Sequence, residues 1–178
     1  MGIDDMLQRL SSTAILFTAV LTTFPATGQQ APPGTPGGTQ IVLLGTGTPA
    51  ADPDRSGPAT AIVVNGTPYL VDVGPGLVRR AAAAVRDRGV QALQPANLRV
   101  VFVTHLDSDH TVGFPDLIFT PWTLGRRVPL EAYGPKGIKA MTDSLLEAYR
   151  IDIETRTNAD GNQRGFPEGH KEIGRAHV

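Results

Sequence analysis

The stretch that most limits how this chain can fold is Arg99 to His110, RVVFVTHLDSDH. An apolar, β-branched run reads as a buried strand, and it delivers two histidines and two aspartates within six positions at its end. In an extended backbone, residues 105, 107 and 109 project to one side, so His105, Asp107 and Asp109 can converge. His110 would face away unless the chain turns at once, and Gly113 and Pro115 predict that turn. One ion could not comfortably use all four groups. Two divalent ions a few ångströms apart could share them, an arrangement that hydrolases use to clamp attacking and leaving oxygens. Asp109, lying between the two, could then orient or deprotonate a water and act as the catalytic carboxylate. The competing reading is a polar turn in which the aspartates hydrogen-bond their own backbone. The density of ligand-type residues directly after an apolar run favours metal.

The flanking pattern predicts short strands at 40–45, 59–65, 68–73, 99–104 and 128–134, with a hairpin between the second and third. Leu77, Val78, Ala81, Ala84 and Val85 share one face of a helix over 76–90, which Gly89 stops and whose arginines form a solvated face. Residues 114–124, punctuated by Pro115 and Pro121, predict a short helix or an irregular cap. A second helix is expected over 138–153, and no periodicity after Thr155. Strands that mix a hairpin with helical crossovers define an α+β, layered domain.

Several other chemistries are excluded. GTGTPA (45–50) matches a loose dinucleotide fingerprint, with Asp72 downstream, but the prolines that follow forbid the helix that fingerprint requires. Val112 and Ile118 stand where an EF-hand loop would need glycine and glutamate. Serine-hydrolase, zincin and Walker patterns do not occur. With no cysteine, thiolate zinc sites and disulfides are ruled out. A net charge of −1 and the absence of a basic run announce no nucleic-acid surface, so no nucleic-acid partner is expected.

At the N-terminus, an apolar stretch (10–24) followed by Ala26 and Gly28 reads as a secretory signal peptide over 1–28, with a membrane-tethering helix as the alternative. A Pro/Gly-rich linker spans 29–39, and the folded part is expected over 40–171. These features place the protein in a secreted or periplasmic location, with no stable membrane anchor after cleavage. The last residues, EIGRAHV (172–178), resemble translated adapter DNA and read as a non-native tail, so His177 is assigned no role. His170 is expected to be a loop residue.

THLDSDH resembles the H-x-H-x-D-H signature of the metallo-β-lactamase fold superfamily. IVLLGTGTPAADPDRSGP, YLVDVGPG, FPDLIFTPW and PLEAYGP resemble, in the same order, segments of its ribonuclease Z and arylsulfatase-like branch. The resemblance runs from about Gln40 to His170 and implies the N-terminal half of a layered αβ/βα sandwich. It implies two divalent metals, zinc in the first instance, held in part by His105, Asp107, Asp109 and His110, with Asp72 supporting the ligands from behind. Asp107 stands where the family has a second histidine. As a harder ligand it could shift preference toward manganese or iron. The remaining family ligands come from the second half of the fold, and four histidines in total cannot supply them. The implied function is a secreted hydrolase of phosphodiester or sulfate esters acting on a small anionic ester, which Arg55 and Ser56 could contact. β-Lactam or lactone hydrolysis is the alternative reaction. An inactive fragment or interaction module, with an apolar sheet face left open, is the non-enzymatic reading.

Overall fold

In a computed structural model, residues 38–158 and 169–176 are described. The expected leader, most of the expected linker, and His177 lie outside them. Strands β1 (Thr39–Gly45), β2 (Ala59–Val64) and β3 (Thr67–Val71) form an antiparallel meander. The turn joining β2 to β3 is Asn65–Gly66, one residue earlier than the sequence pattern suggested. Both residues have positive φ, 49° and 81°. That is the two-residue turn whose twist matches the strands it joins, and asparagine and glycine tolerate it best.

Beyond β3 the pairing becomes parallel. Helix α1 (Leu77–Arg88) leads to β4 (Val100–Phe102), and α2 (Ser108–Thr111) and α3 (Phe114–Thr123) lead to β5 (Leu130–Gly134). Helices α4 (Ile138–Ala148) and α5 (Arg150–Asn158) precede β6 (Glu172–Ala176), and the six strands lie in sequence order. The α+β expectation is met.

Alternation along the strands places Ala61, Leu70, Val101, Leu130 and Ala132 on one face, where they are fully buried with Leu77, Ala81, Phe114, Leu117, Ile118 and Trp122. Each large side chain removed from water in this way stabilises the fold by about 1.5–3 kcal/mol. On the opposite face Ile41 and Leu43 are 68% and 67% exposed, and the Phe102 ring stacks on Tyr133 at 5.1 Å. Among the described residues, helices pack over one side of the sheet.

One segment meets its expectation by an unexpected means, and two others differ. The 114–124 stretch is a short helix, as one of the two readings had it, despite Pro121. A proline inside a helix leaves the carbonyl four residues back without a donor. Here that carbonyl, on Leu117, accepts from Arg126 Nη1 at 2.9 Å. Arg126 is fully buried and places its other N–H groups on the carbonyls of Leu98, Ile118 and Gly169. Burial lowers its pKa to about 10, which leaves it charged at neutral pH. The expected helix over 138–153 is two helices that meet at Tyr149, whose ring stacks on Phe119 at 4.4 Å, and the second continues to Asn158. The segment 172–176, read as a non-native tail, pairs in parallel with β5. Backbone pairing bears on its conformation and not on its origin.

Candidate metal centre

Three loops meet at the ends of the central strands, and glycines allow their backbones to touch. A Cβ on Gly74 would lie 2.3 Å from the carbonyl carbon of Gly57, and one on Gly113 would lie 2.5 Å from the oxygen of Gly74. Hydrogen bonds close the contact: Gly74 N donates to Pro58 O, Val73 N to His110 O, and Gly113 N to Val73 O, at 2.8–2.9 Å.

Asp72 sits at the centre of this junction. It is 8% exposed and holds a left-handed backbone (φ 59°) that aspartate tolerates better than most residues. Its Oδ1 accepts from Thr104 N at 2.8 Å, and the Thr104 hydroxyl lies 2.8 and 3.0 Å from its two oxygens. The same hydroxyl is 2.8 Å from His105 Nδ1. A hydroxyl has one proton to give. With that proton directed at the carboxylate, Thr104 accepts from His105 Nδ1–H, and the lone pair of His105 falls on Nε2. Oδ2 of Asp72 also lies 2.9 Å from His110 Nδ1, although out of line for a full hydrogen bond. One carboxylate therefore backs both imidazoles, setting the tautomer of His105 through Thr104 and lying against His110 as a charge.

Past His105 the chain turns as predicted. Asp107 ends the extended segment and Ser108 opens α2, which swings His110 back toward His105, ring centroids 4.0 Å apart. The expectation that His105, Asp107 and Asp109 share one side gives way to two pairs. His105 Nε2 faces Asp107 Oδ2 at 3.5 Å on the outside, and His110 Nε2 faces Asp109 Oδ2 at 3.6 Å on the inside. Asp107 is 77% exposed and its side chain makes no capping bond to α2, while Asp109 is 17% exposed. The polar-turn alternative is therefore not realised at Asp107.

Imidazole nitrogen and carboxylate oxygen without thiolate suit zinc, manganese or iron. The donors are chemically fit but incomplete: among the described residues no three His, Asp or Glu side chains form a metal-holding group. His170 stands apart from them, with its ring against Trp122 at 5.1 Å.

Asp109 and Ser108 also line an open cleft of about 540 Å³, together with Arg55, Ser56 and Arg80. Arg55 is 3.6 Å from Asp52, and Ser56 Oγ abuts Gly76. Arg80 was not among the sequence candidates. It reads there as one more solvated arginine of α1, and only the docking of α1 beside the 48–57 loop turns it into the cleft.

A mixed sheet with helices over one side and paired histidines and carboxylates after its strand β4 defines an α+β chain of layered type. The chain belongs to the metallo-β-lactamase superfamily, whose model matches residues 52–177. Ribonuclease Z of Mycobacterium marinum is 42% identical over 120 residues, covering 66% of this chain and 40% of that protein. Ribonuclease Z of Mycobacterium bovis is 40% identical over the same shares. The crystal structure of human tRNase Z, short form, superposes with a TM-score of 0.52 at 26% identity, over 63% of this chain and 40% of that one. The chain thus spans about 40% of the length of the relatives it matches. Those relatives overturn one expectation. A small anionic ester with no nucleic-acid partner does not agree with similarity to enzymes named for RNA and tRNA. Net charge announced no such partner, and the cleft does not either, because Arg55 and Arg80 share it with Asp52, Asp54 and Asp109.

Proposed function

We propose that this sequence carries the first ligand-bearing half of a metal-dependent RNA phosphodiesterase. The observation that supports it most is the pair of Asp72-backed histidines, each opposite a carboxylate, of which Asp109 also lines a cleft shared by Arg55 and Arg80. Two divalent ions bound there, zinc first among them, would supply Lewis acidity and lower the pKa of water toward neutrality. His105 and His110 would hold them through Nε2, and Asp107 and Asp109 through Oδ2. Asp109, the more enclosed carboxylate, would also orient the attacking water and take its proton. Arg55 and Arg80 would bind phosphate oxygens of the substrate, with Ser56 beside them as a neutral donor.

Of the ester classes expected from sequence, the relatives favour the phosphodiester. With zinc or manganese supplied, a full-length protein that carries this half is expected to turn over an RNA phosphodiester at least about tenfold faster than an aryl sulfate or a cephalosporin, and to lose that activity in Asp109→Asn. Faster turnover of the sulfate or the β-lactam would refute the assignment. Metal binding without turnover of any of them would favour the interaction-module reading, for which the exposed Ile41 and Leu43 speak. Export, read from residues 1–28, is part of the same proposal. Fusing residues 1–40 to a reporter active only outside the cytoplasm tests it, and a silent reporter would remove it.

A further inference from the structure

A second groove adjoins the cleft. It encloses about 430 Å³ and shares Pro75, Gly76 and Val112 with the first as a common wall. That volume lies in the range that holds a nucleotide-sized ligand. Its floor is Phe119, nearly buried, and its side is Tyr149, stacked on Phe119 at 4.4 Å and itself 42% exposed. Tyr149 thus offers ring surface to solvent at the end of α4. Arg79, 81% exposed, stands at the rim 3.2 Å from Asp116. An ion pair so open to water is weak and can be exchanged for a phosphate at little cost. Thr120 Oγ1 hydrogen-bonds Asp116 in either case.

We propose that this groove is a base-stacking subsite. It would take one nucleobase of a single-stranded RNA segment next to the phosphate that faces Asp109, with the base on Tyr149 and the adjoining phosphate on Arg79. The inference rests on the RNA reading above and deepens it. Three observations carry it: an exposed aromatic surface backed by a second ring, a cation at the rim, and continuity with the cleft that holds Asp109. Stacking on an aromatic side chain beside a positively charged track is how proteins bind single strands without reading sequence. An apolar ligand would not use the arginine, and a phosphate alone would not use the ring.

The test compares two fluorescent probes on the full chain: a single-stranded octaribonucleotide and an abasic octamer with the same phosphates. The wild-type chain is expected to bind the base-bearing probe more tightly. Tyr149→Ala should weaken that probe about tenfold, the loss expected from removing one stack, and leave the abasic probe unchanged. Tyr149→Trp should preserve binding, and Arg79→Gln should weaken both probes. Thermal melts of each variant establish that the fold is kept. If wild type binds both probes equally, or Tyr149→Ala weakens both or neither, the subsite is refuted while the RNA reading stands. If wild type binds neither probe, the RNA reading falls and this inference with it.

Discussion

Asp72 acts on two histidines at once, through Thr104 on one side and by direct contact on the other. Removing its charge while keeping its shape should release the tautomer of His105 and take the charge away from behind His110. In Asp72→Asn, zinc or manganese affinity measured by calorimetry is expected to fall by about tenfold to a hundredfold, the range for groups that orient metal ligands. An unchanged affinity would show that the histidines are held by other means. Asp107 makes a sharper case. It is the most exposed of the four candidate donors, and Asp107→Ala is expected to lower the measured metal stoichiometry. Full stoichiometry would remove it from the ligand set.

At the scale of elements, α3 depends on a residue outside it. Arg126 satisfies the carbonyl that Pro121 leaves open and binds three further carbonyls from the segment before β4, from α3 itself and from the turn before β6. Arg126→Met keeps the length of the side chain but strands those acceptors in the core. Each stranded group costs about 1–3 kcal/mol. The variant is therefore expected to lose about 3 kcal/mol or more in denaturant unfolding. A loss under about 1 kcal/mol would mean that the carbonyls find other partners. The sequence held no sign of this role. Arg126 stands in a polar turn beside Arg127, and only the approach of three distant backbone segments makes it a core residue.

At the scale of the whole molecule, the described residues present one covered and one open sheet face. Ile41, Leu43 and Phe102 form exposed apolar surface on strands whose other side is a well-packed core. Such a surface binds hydrophobic dyes and promotes association. The chain should enhance anilinonaphthalene sulfonate fluorescence, and the double variant Ile41→Lys, Leu43→Lys should reduce that signal without lowering the melting temperature. A dye signal unaffected by those changes would locate the accessible apolar surface elsewhere. The helices on the covered side pack against the strands at whose ends the His–Asp pairs lie.

The sequence by itself determined the first five strands, the hairpin between β2 and β3 to within one residue, the α1 stripe and the donor-rich loop after β4, because apolar periodicity, turn chemistry and ligand types are properties of neighbouring residues. It also carried the metallo-β-lactamase resemblance, which matching over residues 52–177 bears out. Tertiary structure decided what depends on distant segments meeting. The start of α2 at Ser108 sorted the four donors into an outer and an inner pair, where alternation alone had placed three on one side. Packing at Gly74 and Gly113 brought Asp72 under both imidazoles. The docking of α1 and α4 then placed Arg80 in the cleft and Tyr149 in the groove beside it. Local pattern fixes which face a side chain takes on its own element, and only close packing between elements fixes what that face meets.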